Sequence, residues 1–122
     1  MHILSGVLTM MMALSLAPAA PARAHATLVT SYPSEKQKVY APLHRIRLVF
    51  SGKADALYSV VRLETAKGAV VAEVTQRLAS REIVLKTPAL DPGRYQIVYR
   101  VLSTDGDIVE GKVGFEIFGV EV

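Results

Sequence analysis

Two short segments of this 122-residue chain, His25 and Asp105-Gly106-Asp107, carry the residue types that could hold a metal ion. Ala22-Arg23-Ala24 has the small-x-small form that signal peptidase reads, so cleavage there exposes His25 as a new N-terminus. A terminal histidine offers an α-amine and an imidazole, two nitrogens close enough to chelate one ion. The amine has an ordinary pKa of about 7.7–8.0, and a bound metal displaces its proton. Mixed nitrogen and oxygen donors of tetragonal shape suit Cu(II), which also heads the divalent affinity order. Asp105 and Asp107 would add carboxylate oxygens. Two positions apart, they leave the same side of an extended chain, and acids so placed repel unless solvated, protonated or bridged by a cation.

Each segment has a plainer explanation when taken alone. Some residue must follow the cut, and Asp-Gly between two alternating runs is a standard hairpin turn with glycine at positive φ. A Ca²⁺ or Mg²⁺ site built from Asp105 and Asp107 is short of ligands, since the further acids and closing Glu of a calcium loop are missing. His44, beside Arg45 and two residues after Pro42, reads as a solvated surface side chain. There is no Gly-x-Ser-x-Gly elbow, phosphate-cradling glycine loop or His-Glu-x-x-His motif. Two acids on one turn leave no cleft for a hydrolase dyad, so a non-enzymatic protein is expected.

Composition narrows the class further. The chain has no Cys and no Trp, which excludes zinc–thiolate, iron–sulfur and dithiol chemistry. Its 14 Lys+Arg stand against 11 Asp+Glu, a formal charge of +3 that loses one unit with Arg23. The basic residues are scattered as Arg45 and Arg47, Arg77 and Arg81, Arg94 and Arg100, with no run and no interleaved glycine-aromatic motif; nucleic acid is not expected as a partner. Ile3 to Ala17 is an apolar run followed by Pro18, Pro21 and small residues, a secretory signal over residues 1–24. That run is short of the roughly 20 residues a membrane span needs, so the processed domain, 25–122, is expected to be soluble and exported, with no membrane insertion. An exported domain of this size without disulfides must rely on an apolar core.

The elements that position these residues read as strands. Ile46, Leu48 and Phe50 alternate with Arg45, Arg47 and Val49; Tyr95, Ile97, Tyr99 and Val101 alternate with Arg94, Gln96, Val98 and Arg100. Val113, Phe115 and Ile117 alternate with Lys112, Gly114 and Glu116. A period of two puts one face inward and the other outward. Shorter stretches near 26–31, 57–65, 69–75 and 82–87 are rich in β-formers, and turn signals at Pro33-Ser34, Ala41-Pro42, Lys67-Gly68, Asp91-Pro92-Gly93 and Asp105-Gly106 divide them. About seven short strands in one small domain predict an all-β, immunoglobulin-like sandwich, without the Cys…Trp…Cys core of antibody domains.

Three blocks resemble the periplasmic copper-resistance protein C (CopC) family. They are His25-Ala26-Thr27-Leu28-Val29-Thr30-Ser31-Tyr32-Pro33, Leu90-Asp91-Pro92-Gly93-Arg94-Tyr95, and Val98-Tyr99-Arg100-Val101-Leu102-Ser103-Thr104-Asp105-Gly106, followed by Gly111 and Phe115. The resemblance implies a seven-stranded Greek-key β-barrel or sandwich that holds one Cu(II) in the periplasm, as a monomer that delivers copper to an inner-membrane transporter. It assigns His25 as the amine–imidazole ligand and Asp105 as a carboxylate ligand. Where the family has a third ligand, histidine, this chain has Asp107, and the proline usual after it is Ile108. All four Met residues fall at positions 1, 10, 11 and 12, so the methionine-rich Cu(I) site of some members is absent from the processed chain. Trading imidazole for carboxylate converts a three-nitrogen, one-oxygen set into two of each, for which weaker and less selective Cu(II) binding is expected. The alternative is a domain whose copper site has decayed and which serves as a protein-interaction module.

Overall fold

A computed structural model describes residues 26–119. The signal segment assigned to 1–24 and the ligand assigned to His25 lie outside the described residues. Eight strands follow in order: β1 (Leu28–Tyr32), β2 (Gln37–Val39), β3 (Arg45–Ala54), β4 (Val60–Thr65), β5 (Val70–Thr75), β6 (Ser80–Lys86), β7 (Gly93–Leu102) and β8 (Ile108–Ile117). They form a three-stranded sheet, β1-β3-β6, packed on a five-stranded sheet, β2-β8-β7-β4-β5. Among the described residues no helix is long and apolar enough to cross a membrane.

Alternation decides which face of each strand is buried. Ile46, Leu48 and Phe50 of β3 and Ile83 and Leu85 of β6 face Val61, Leu63, Ile97, Val101, Val113 and Phe115 of the other sheet, all essentially solvent-free. Removing each such side chain from water contributes about 1.5–3 kcal/mol, which lets the domain hold without disulfides. Only the β4–β5 and β7–β8 links stay within a sheet; the others cross between layers, so consecutive strands alternate between the two sheets over much of the chain.

The structure bears out the all-β sandwich and adds one strand to the seven expected. The additional element, β2, runs parallel to β8 through Gln37↔Phe115 and Val39↔Ile117. Three residues are too few to show a period, so no alternation marks it. β3 is also longer than its apolar run. Past Val49 its register with β6 shifts, and Ala54 bridges to Ser103 at the end of β7. One strand thereby begins in the three-stranded sheet and finishes against the other.

Candidate metal centre

The last residues of β3 hold two distant parts of the chain. On one side, the Thr27 N–H donates to Ser51 Oγ (3.0 Å) and the Ser51 N–H donates to the Thr27 carbonyl (2.8 Å). Ala26 is wholly buried with its Cα close to Gly52, where a Cβ on the glycine would stand 3.6 Å from it. On the other side, the Thr104 N–H donates to the Lys53 carbonyl (3.2 Å), and the Asp55 N–H donates to the Leu102 carbonyl (2.7 Å). Ser51 to Ala54 thus connects the residues next to His25 with the residues next to Asp105.

The Asp105-Gly106-Asp107 segment is the expected hairpin turn between β7 and β8. The Gly106 N–H donates to the Ser103 carbonyl (2.9 Å) and the Ser103 N–H to the Asp107 carbonyl (2.8 Å). Gly106 adopts φ 92°, the left-handed conformation that favours glycine and closes three-residue hairpin loops. The Asp107 N–H donates to Ser103 Oγ (3.1 Å), fixing the far side of the turn. In extended backbone the two carboxylates would leave the same side of the chain. Here the chain reverses at Gly106, so it is the turn, not strand alternation, that places both acids at this end of the sandwich. Asp105 is exposed and Asp107 half-buried. Among the described residues no group of three His, Cys, Asp or Glu stands close enough to hold an ion. Two carboxylates therefore need donors from elsewhere to complete a site.

His44 is at the opposite end of β3. It is exposed and lines an apolar recess of about 300 Å³ with Leu43, Pro92, Ile117 and Phe118, none of which ligates metals. A larger recess, about 630 Å³, lies on the outer face of the five-stranded sheet. Arg62, Glu73, Arg100, Glu110 and Lys112 surround it over Val60 and Val98, and Arg100 pairs with Glu110 at 2.9 Å. Its charges are mixed, three basic side chains against two acidic ones, and neither Asp105 nor Asp107 lines it.

Two residues at the carboxylate end escaped the reading of the sequence. Ser59 and Ser103 are buried polar side chains, and both hydroxyls bond to backbone around the turn. Ser103 stands within the block that resembles the CopC family, but a lone serine at a strand end carries no signal of its partner. Bulky apolar side chains surround the same end: Leu57, Tyr58, Leu78 and Ile108 are each more than half exposed. The Leu57 N–H donates to the Gln76 carbonyl (2.7 Å), which ties the Leu57–Tyr58 loop to the loop bearing Leu78.

Fold and site together define a two-layer β-sandwich with a paired-carboxylate turn tethered beside its N-terminal strand. The chain belongs to the CopC domain family, whose model matches residues 28–118. It is similar to the crystal structure of CopC from Methylosinus trichosporium OB3b, with 36% identity over 80% of this chain and 98% of that one, and a TM-score of 0.75. PcoC from Escherichia coli, a methionine-rich copper resistance protein, shares the fold at 24% identity, with a TM-score of 0.66 over 78% of this chain and 100% of that one. No significant match was found among curated protein sequences.

Proposed function

We propose that this is an exported, non-enzymatic copper protein that binds one Cu(II) in the periplasm and takes part in copper resistance or homeostasis. In this reading residues 1–24 are removed and His25 chelates the ion through its α-amine and imidazole. Asp105 and Asp107 add carboxylate oxygens that balance the charge of the dication. The supporting observation is that Thr27 and Thr104 are hydrogen-bonded to Ser51 and Lys53, two residues apart on β3. One residue before Ala26 and one after Thr104 are the assigned ligands. Family membership supports the choice of copper, and the copper resistance named for PcoC accords with it. The proposed recipient of the ion is an inner-membrane copper transporter, and Leu57, Tyr58 and Leu78 offer apolar contact surface at this end.

The decisive comparison is between protein that begins at His25 and protein with one extra residue before it. The first is expected to bind one Cu(II) with an electron paramagnetic resonance spectrum of nitrogen ligation. The second loses the amine donor and should bind at least about tenfold more weakly, a difference of about 1.4 kcal/mol. Equal binding by both, or by neither, overturns the proposal. The interaction-module reading draws on the exposed Leu57, Tyr58 and Leu78, and gains if neither form binds copper.

A further inference from the structure

We infer that Ser59 is a positioning residue that holds the carboxylate turn, acting through Leu102. The inference rests on the reading of Asp105 and Asp107 as ligands. β4 and β7 pair in continuous register from Thr65↔Tyr95 to Val60↔Arg100, and there the chain preceding Val60 leaves the sheet. Leu102, two residues further along β7, no longer has β4 beside it; the chain leaving β3 reaches its carbonyl through the Asp55 N–H, and its N–H is left to a side chain. Ser59 takes the strand's place with a side chain. Its hydroxyl accepts from the Leu102 N–H at 3.1 Å and donates to the Leu102 carbonyl at 3.3 Å, using both capacities of one oxygen.

Ser59 is fully buried, so water does not substitute for these bonds. A buried hydroxyl is tolerated where it is bonded, and one that bonds both backbone groups of a single residue fixes that residue's orientation. Leu102 is the last residue of β7, and Ser103, which follows it, makes three of the turn's contacts: to Gly106 N–H, to the Asp107 carbonyl and to Asp107 N–H. Leu102 thus sets where the turn departs, together with the Ala54–Ser103 bridge and the Thr104–Lys53 bond of β3, and Ser59 helps to hold Leu102. The Asp55 N–H reinforces the same carbonyl from the neighbouring loop.

The test uses three proteins that each begin at His25: the parent, Ser59→Ala, and Thr87→Val. Thr87 is the matched control, since its hydroxyl also donates to a backbone carbonyl, that of Leu43 (2.9 Å), near the other end of β3. Amide hydrogen exchange at Gly106 and Asp107 and Cu(II) titration followed by paramagnetic resonance are measured on all three. Ser59→Ala is expected to speed exchange at those amides and to weaken Cu(II) binding, each by about tenfold, the change that one lost buried hydrogen bond produces, with an altered spectrum. Thr87→Val should do neither. Should the alanine variant not fold, Ser59→Cys puts a slightly larger side chain with a much weaker hydrogen-bonding group at the same position and serves the same comparison. The inference is overturned if turn exchange rises no more in the Ser59 variant than in Thr87→Val. It is equally overturned if the turn loosens while affinity and spectrum match the parent. A parent that binds no Cu(II) sinks the proposed function instead, and the exchange data alone then decide whether Ser59 holds the turn.

Discussion

The phenol ring of Tyr99 lies over Gly111, its cross-strand partner on β8, in the space that a Cβ on the glycine would fill. The same ring meets Phe50 of the opposite sheet edge-on, with centroids 5.5 Å apart, so the absence of a side chain at 111 permits a contact that joins the layers. An added methyl would strike ring carbons as well as the hydroxyl, and the ring cannot clear it by moving its tip alone. Gly111→Ala is expected to cost about 1–3 kcal/mol. For a domain of this size each kcal/mol lowers Tm by about 4–8 °C, so a thermal melt reads the effect directly. In a Tyr99→Ala background the same substitution should be nearly silent; full cost there would show that the ring is not the obstacle.

Tyr95 and Tyr99 also predict an alkaline weakness. Burial raises the Tyr99 phenol above its ordinary value of 10.0. Tyr95 is raised by burial and then by the charge of Asp91. A phenol whose folded pKa is raised favours its neutral form in the folded state. That stability is fully present below about pH 10 and is lost as pH rises through the folded value. Urea midpoints measured from about pH 8 to about pH 12 should fall, and fall less steeply for Tyr99→Phe than for the parent. Lysine deprotonation acts on both proteins alike, so parallel curves would assign the decline to other groups.

Which parts of the molecule could be read in advance follows from how each is held. Ile46, Leu48 and Phe50, or Val113, Phe115 and Ile117, announce their strands because one face is buried and the other wet, a requirement written residue by residue. β2 has three residues and a parallel partner far along the chain, so nothing local marks it. The end of β3, Ser51-Gly52-Lys53-Ala54, has no apolar alternation; its conformation comes from bonds to Thr27 and Thr104 and the bridge to Ser103. That segment is what relates the two halves of the candidate site, and their relation was consequently not visible in the sequence. The Asp-Gly turn was visible, because Gly106 must take a left-handed φ. Ser59 was silent, since its partner depends on where β4 departs from β7.

Gly106 itself yields a prediction that separates turn from ligand. With φ 92° and nothing within 4 Å of a would-be Cβ, Gly106→Ala meets backbone strain but no clash. The expected loss is about 1–2 kcal/mol of stability, the penalty of a left-handed alanine. Because the strain falls between the two acids, Cu(II) binding should weaken as well. Gly68→Ala, at φ 86° in the β4–β5 turn, should show a similar stability loss with copper binding unchanged. Equal effects of both on copper would trace the loss to global destabilisation.

Position 107 provides the last and most specific prediction. Asp105→Ala removes an exposed carboxylate, so folding stability should change by less than about 0.5 kcal/mol while Cu(II) affinity drops at least about tenfold. Asp107→His places an imidazole where a carboxylate now stands and restores a three-nitrogen, one-oxygen set, which Cu(II) favours over two of each. The backbone of Asp107 is held by Ser103 through both its N–H and its carbonyl, so the new ring would start from a fixed point on the turn. Tighter Cu(II) binding, with the paramagnetic spectrum shifted towards greater nitrogen ligation, is the expected outcome. Histidine also adds a titrating group of ordinary pKa near 6.5, so the variant's affinity should fall more steeply than the parent's between about pH 7 and about pH 5.5. A variant whose affinity, spectrum and pH profile all match the parent would place residue 107 outside the reach of the ion, leaving His25 and Asp105 as the assigned ligands.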